Sequence, residues 1–290
     1  MSFLNISAIV TAYERPGQTF ATLRAIQSCD PPPREIIVHV DANQLSLHNS
    51  IRQTFPAIRT ICSKSRIGPG GGRNRLIEEA TGEYVASFDD DSYPIDIDYF
   101  ARAVSLFEKF PLASIICGAL YHRGDAIKPE VRTAEWAADF TGGACVYRRT
   151  AFLKTGGYVP LAIAYGMEEA DLALRLHANA GRILKTNWLR VFHDTDLQRH
   201  ADPVVTANSI ANVALLAYLR YPAGLWLIGA GQCLNRILWL MTNRRWRGIW
   251  KGLTMIPAHL RAHRKYREQL TQGCIKSYWA LRRTPVAESL

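Results

Sequence analysis

Four short runs in the first ninety residues, "ISAIVTAY" (6–13), "EIIVHVDA" (35–42), "IRTICS" (58–63) and "EYVASFD" (83–89), are rich in β-branched and aromatic side chains. Such side chains suit an extended, pleated backbone, so each run reads as a strand. Between them lie two amphipathic stretches that read as helices, "TFATLRAIQSC" (19–29) and "RNRLIEEAT" (73–81). Strands separated by helices must be joined by crossovers, and crossovers produce parallel pairs. The expected architecture is α/β: a mainly parallel sheet flanked by helices on both faces. A mixed α+β region follows, including "SIICGALY" (114–121) and "TGGACVYRR" (141–149).

The 290 residues, 48% of them hydrophobic, suffice for one large domain or two small ones with a substantial core. Six scattered cysteines without a C-x-x-C spacing argue against a disulfide framework or a structural zinc site and fit a reducing compartment. The N-terminus, "MSFLNISAIV", lacks the basic region of a secretory signal. Charge divides sharply along the chain. Residues 201–290 hold 13 Lys/Arg against 3 Asp/Glu, whereas residues 1–200 hold 22 of each sign, so the whole net charge of +10 lies in the last third. That asymmetry points to an anionic partner for the C-terminal segment.

In an open parallel sheet, ligands bind at the carboxyl ends of the strands. The first strand runs out into Thr11, Tyr13, Glu14 and Arg15, the second ends at Asp41, and the fourth ends at Asp89, Asp90 and Asp91. Strand alternation puts Asp89 and Asp91 on one side and Asp90 on the other. Two converging carboxylates are costly unless a cation or proton lies between them. Mg²⁺ or Mn²⁺ takes such oxygens and completes its shell with substrate phosphates, so this D-x-D spacing suits a diphosphate.

Further along, "SRIGPGGGRNRL" (65–76) reads as a glycine-rich loop opening a helix. Its N–H groups would approach an anion, with Arg66, Arg73 and Asn74 adding contacts to phosphate or base. Without a G-K-[ST] ending it is not a P-loop. In "YGMEEADLALRLHANAGRI" (165–183), a helix starting at Glu168 sets Glu169, Leu172 and Leu176 on one stripe, and Glu168, Asp171 and Arg175 on the next. Glu169 is then the acid on the apolar side. It is either a general base with a pKa moved toward neutrality, or one of two acids answering the helix dipole. The run "WLRVFHDTD" (188–196) ends a strand in His193 and Asp194, and His193 is a candidate ligand.

These segments, in this order, resemble the family 2 glycosyltransferases of GT-A (Rossmann-like) fold. The likeness covers roughly residues 5–200, through "IVTAYERP", Asp41, "GPGGGRN", "FDDDSYP", "TGGACVYRRTAFLKTGGY", "EEADLALRL" and His193. The resemblance implies inverting transfer of a sugar from a nucleoside-diphosphate donor (UDP or dTDP favoured by Asp41) with Mn²⁺ or Mg²⁺ as cofactor. It implies that Thr11, Tyr13 and Asp41 hold the base with Arg73 nearby, that Asp89 touches ribose or metal, and that Asp91 and His193 bind the metal. Arg15, Arg66 and Asp90 join the nucleotide-sugar set, although Asp90, pointing away, serves equally as a turn residue. Gly142, Gly143 and Ala144 form the donor–acceptor floor. Glu169 stands at the catalytic-base position, more often Asp in this motif, and the choice between Glu168 and Glu169 is open.

The resulting division is a catalytic domain over 1–204, with a nucleotide half to about 92 and an acceptor half after it, and a helical extension over 205–290. In the extension, "NVALLAYLRYPAGLWLIGAGQCLNRILWLM" (212–241) is mostly apolar but is interrupted by Arg220, Pro222, Gln232, Asn235 and Arg236. A full membrane span is weakly supported. Interfacial helices, with Trp and Leu on one side and Arg and Lys on the other, fit better. The expected partners are an anionic membrane surface and a carbohydrate or lipid-linked acceptor, not nucleic acid. The expected location is cytoplasmic, at the inner face of the membrane. A nucleotidyltransferase would show a G-x-G-T-R-type loop where this chain reads "TAYERPG". A non-catalytic nucleotide- or lipid-binding protein would not need the D-x-D, Glu169 and His193 positions filled.

Overall fold

The computed structural model describes residues 4–195 and 202–290. The alternation of the first half is present as β1 (Ile6–Ala12), α1 (Pro16–Gln27), β2 (Glu35–Val40), α2 (Leu45–Thr54), β3 (Arg59–Cys62), α3 (Gly68–Glu79) and β4 (Tyr84–Asp89). Next come β5 (Ser92–Pro94), α4 (Tyr99–Lys109), β6 (Ala113–His122), β7 (Thr133–Ala137) and β8 (Ala144–Arg148). They are followed by α5 (Arg149–Lys154), α6 (Glu168–Ala178) and β9 (Arg182–His193). The C-terminal part consists of α7 (Pro203–Arg220), α8 (Trp226–Thr242), α9 (Ile249–His263), α10 (Gln272–Arg283) and β10 (Val286–Ser289). Asp196, the last residue of the strand-like run over 188–196, lies outside the described residues.

The described residues form one ten-stranded sheet in the order β10-β7-β9-β6-β8-β4-β1-β2-β3, with β5 paired to β9. β3, β2, β1 and β4 are mutually parallel, as the crossovers require. The other half is mixed, because β8 runs antiparallel to both β4 and β6 while β6 runs parallel to β9. The basic extension is not helical throughout: its last strand, β10, joins the edge of the sheet against β7.

Both faces are covered, so β1 is buried along its length except at Thr11, even where Ser7 and Thr11 flank Ile9 on its second face. Ile6, Ala8, Val10 and Ala12 face a core shared with Leu23 of α1, Ile51 of α2 and Phe107 of α4. Ile9, pointing the other way, joins Leu76 of α3, Leu172 of α6 and Ile275 of α10. Each such buried aliphatic side chain contributes about 1.5–3 kcal/mol, so a charge at position 9 would cost most of what α3 gains by docking.

Two expectations need correction here. The glycine-rich stretch is not a loop: Gly68 opens α3, and Gly70, Gly71 and Gly72 lie buried within it. Helix propensity alone disfavours this by about 1 kcal/mol per glycine. Close packing overrides it, since a Cβ at Gly70 would collide with Tyr158 and with the Glu168 carboxylate. In α6, which does start at Glu168, the buried acid is Glu168 and the half-buried one is Glu169. The stripe carrying Glu168, Asp171 and Arg175 is as deeply covered as the leucine stripe, because Arg73 of α3 meets Glu168 there and Arg220 of α7 meets Asp171.

Arg220 is not a mere interruption of an apolar run. It ends α7, and its guanidinium is buried on Asp171 (Nε to Oδ1 2.5 Å), with Nη1 donating to Tyr266 O at 3.0 Å. The chain then turns through Pro222 into α8. Among the described residues no helix is long and apolar enough to cross a membrane.

Candidate functional site

Because β1 lies between β4 and β2, the chain leaves it toward opposite sides, and a crevice opens at the carboxyl ends of these strands. The register sets Thr11 level with Asp89 on one side and His39 on the other. A cleft of about 490 Å³ fills the crevice. Of the residues singled out in the sequence, Thr11, Tyr13, Arg15, Asp41, Arg66, Asp89, Asp90, Asp91 and His193 line it. Arg73, Gly142, Gly143, Glu168 and Glu169 do not.

Asp41 organises the base of the cleft. Its carboxylate accepts from the backbone N–H groups of Ala42, Ile67 and Gly68 and from Ser63 Oγ, all at 2.7–3.0 Å. Burial alone would raise the carboxyl, but these donors hold it below the usual aspartate range. The same contacts consume the first N–H groups of α3, so an anion expected there meets donors already taken. Arg66 instead lies over the ring of Tyr13, 4.5 Å from its centroid, forming one side wall.

The three consecutive acids separate by partner. Asp90 lies in the turn after β4, as expected, but does more than shape it: it is buried, accepts from Tyr13 N–H at 3.0 Å, and is paired with the Arg15 guanidinium. Burial pushes its carboxyl up to about 7 against the pull of Arg15. Asp91 gives Oδ2 to the same guanidinium, while Oδ1 faces His193 Nε2 at 3.2 Å. His193 is brought opposite by the pairing of β5 with β9, where Ser92 lies level with it and Asp194 N–H donates to Asp91 O at 2.7 Å. Desolvation opposes charge on the imidazole, but the Asp91 carboxylate outweighs it and raises the His193 pKa.

Asp89, Asp91 and His193 each offer a ligand atom, and these atoms lie within 4.8 Å of one another. Asp91 Oδ1 is buried with His193 Nε2 3.2 Å away as its charge partner, but the contact lacks good hydrogen-bond geometry. A buried carboxylate oxygen held only by a poorly aligned imidazole is incompletely satisfied, and a divalent cation between the two would satisfy both. Two carboxylates and an imidazole suit Mn²⁺ at least as well as Mg²⁺. The donor set therefore fits a hard to borderline divalent ion.

Behind this cluster, Arg73 is only 2% exposed and links the cleft to α6. Its Nε donates to Ser87 Oγ at 3.0 Å, Nη2 to Asp89 Oδ1 and Nη1 to Glu168 Oε1 at 3.3 Å. The sequence put this arginine beside the base; the structure puts it beneath the acids. Gly142 and Gly143 lie between the two groups of acids. A Cβ at Gly143 would collide with the Asp89 carboxylate, and one at Gly142 would stand 3.1 Å from Glu169 Oε1. Burial raises the carboxyls of both Glu168 and Glu169, with Arg73 pulling the other way.

His39, which also lines the cleft, was missed. Its one signal was a polar residue interrupting an apolar strand two positions before Asp41, hence on the same face. Burial lowers its pKa to about 4, so it stands neutral below the base region of the cleft.

Residues 7–158 match the profile of glycosyl transferase family 2, and this chain belongs to that family. No protein of curated function matches the sequence. Among solved structures, similar folds include that of GalNAc-T7 with UDP, GalNAc and Mn²⁺ (TM-score 0.58, 14% identity, 77% of this chain and 49% of that one). S. aureus TarS 1–349 in complex with UDP-GlcNAc is similar at TM-score 0.57 and 17% identity, over 73% of this chain and 65% of that one. The mannosyltransferase PcManGT from Pyrobaculum calidifontis, in complex with GDP-Man and Mn²⁺, matches at TM-score 0.57 and 14% identity, over 97% and 80% of the two chains. The match thus takes in about half of the GalNAc-T7 chain and under two thirds of TarS 1–349.

Proposed function

We propose that this chain transfers a sugar from a nucleoside-diphosphate donor, UDP or dTDP by preference, to an acceptor hydroxyl with inversion, in the assembly of a polysaccharide or glycolipid. The observation that carries the reading is the convergence of Asp89, Asp91 and His193 in a 490 Å³ cleft that also holds Tyr13 and Asp41. Similar folds bound to UDP, UDP-GlcNAc and GDP-Man support a nucleotide-sugar donor.

Tyr13, Arg66 and Thr11 would hold the nucleoside, with Asp41 fixing the loop beneath it. A Mn²⁺ or Mg²⁺ ion held by Asp89, Asp91 and His193 would neutralise charge on the leaving diphosphate. Glu169 would take the proton of the acceptor hydroxyl. Its partial exposure beside Gly142 favours it over Glu168, which is 3% exposed and held by Arg73. A single displacement with one base on the acceptor side yields inversion at the anomeric carbon.

Removing the metal with EDTA is expected to abolish donor turnover, and Mn²⁺ to restore it. Asp91→Ala should lose turnover and the Mn²⁺ response together while keeping its melting temperature within a few degrees. Full turnover in that variant would sink the metal assignment.

The same reading places the protein peripherally on an anionic membrane, at the cytoplasmic face, through residues 205–290. Support comes from the 13 Lys/Arg of residues 201–290 and from Leu227 and Trp250, which are 88% and 77% exposed. Basic residues near such a surface contribute about 1 kcal/mol each, screened by salt. In flotation with anionic vesicles, Trp250→Ser should bind more weakly than the parent chain. Equal binding, or binding indifferent to salt, would count against the membrane reading.

A further inference from the structure

α8 and α9 both lie against α7 yet scarcely touch each other. The gap between them is an open groove of about 630 Å³. Ala214 and Ala217 of α7 form its floor. Gly229 lets α8 come close there, for a Cβ at that position would stand 2.5 Å from the Ala217 Cβ. One wall is Ala230, Cys233 and Ile237 of α8, and the other is Leu253 and Ile256 of α9. The α8 residues recur at i, i+3 and i+7, the spacing of a face that ordinarily packs into a core. Here it borders an open groove, and Trp226 and Leu234 on its rim are 47% and 57% exposed.

The lining offers almost nothing to a polar ligand. The Trp226 indole N–H is donated to Tyr221 O at 3.2 Å, and among the described residues no carboxylate or amide side chain lines the groove. A peptide strand would leave its backbone groups unsatisfied there, whereas a hydrocarbon chain has none to satisfy. Among the described residues, the charged group lying against the lining is a cation. The Arg267 guanidinium lies 4.7 Å from the ring centroid of Tyr218 and 5.8 Å from that of Trp226, both lining residues. The neighbouring acid, Glu268, faces Arg220 instead, at 3.9 Å.

We propose that this groove takes one hydrocarbon chain of an anionic lipid, with the lipid phosphate against Arg267. Charge decides between this occupant and a second copy of the chain. Lys251, Arg264, Lys265 and Arg267 lie on or beside the elements that build the groove, so two such faces repel each other and attract a phosphate surface. The inference rests on the lipid-facing role given to residues 205–290 and is independent of sugar transfer.

Native mass spectrometry of the full chain with dodecyl phosphate below its critical micelle concentration tests it. One equivalent should bind. Ala230→Trp and Cys233→Trp, which fill the groove, should each weaken binding by at least about tenfold. Arg267→Gln should weaken dodecyl phosphate about tenfold but leave dodecanol unaffected. Bound dodecyl phosphate should also slow maleimide labelling of Cys233 in the unaltered protein, a readout that needs no variant to fold. Asp91→Ala should bind dodecyl phosphate normally, so loss of the transferase reading would leave this one standing. Three results overturn the proposal. The first is filled variants that bind like the parent. The second is a parent that binds anionic vesicles but no monomeric amphiphile, leaving only a broad adsorbing surface. The third is a dimer, seen by light scattering, that Ala230→Trp dissolves, making a second copy the occupant.

Discussion

Glu168 and Glu169 are consecutive, yet a helix turns about 100° per residue and sends them to different neighbours. Glu168 meets Arg73, and through it Asp89; Glu169 reaches the edge of Gly142. Their substitutions should therefore differ in kind. A general base is worth about 10²–10⁴-fold in rate, so Glu169→Gln is expected to lower kcat by that much with KM for the donor little changed. Glu168→Gln keeps the shape of the side chain but weakens its hold on Arg73, and should act mainly through Asp89 by raising the Mn²⁺ concentration needed for half-maximal rate. Steady-state kinetics over a Mn²⁺ series separate the two. If Glu168→Gln carried the larger kcat defect, the roles would be reversed.

At the scale of elements, the buried ion pairs on Asp171 join three segments. Arg175, one turn later in α6, donates to Asp171 from Nε at 3.0 Å and holds Thr155 O and Gly157 O from its other nitrogens. Arg220 comes to the same carboxylate from the end of α7 and also holds the backbone at Tyr266. Arg220→Met strands part of a buried charge and should destabilise the fold by about 3 kcal/mol, the lower end for a broken buried pair because Arg175 remains. Urea unfolding measures it; a change below 0.5 kcal/mol, the range of an ordinary surface substitution, would show that α7 is held by its apolar face alone. None of this was legible in the sequence beyond the placing of Asp171 and Arg175 on one helical stripe. Periodicity reports on local spacing, and the partner that makes Asp171 interior lies 49 residues away. The strands were legible for the opposite reason, since a run such as "EIIVHVDA" carries its own preference for extended backbone. The same limit explains the glycines of α3. Locally they spell a loop, and the reason for glycine inside a helix lies in tertiary neighbours: Tyr158 and Glu168 crowd Gly70, and His39 and Thr11 crowd Gly72. Likewise Asp41, Asp89 and His193 could be placed at strand ends, but their convergence depended on the strand order.

Across the whole molecule, the burial that equips the site for chemistry sets two opposed responses to pH. The Glu168 and Glu169 carboxyls are raised above the ordinary glutamate value by desolvation, only partly offset by Arg73. In the unfolded chain they return to about 4.3. The folded state thus binds these protons more tightly than the unfolded state does. By linkage, this pair costs stability above its folded pKa, and the cost is relieved as pH falls through that value toward the unfolded one. Activity runs the other way, because Glu169 must be unprotonated to accept the acceptor proton. Between the two limits, acid should lower kcat/KM while narrowing the stability deficit of the parent chain relative to Glu168→Gln. Melting temperatures of the two proteins across pH, taken beside the rate profile of the parent, test both signs. A stability difference that does not change with pH would show that Arg73 holds Glu168 ionised throughout. The base would then be set by exposure alone, and the rate should fall only near the ordinary carboxylate range.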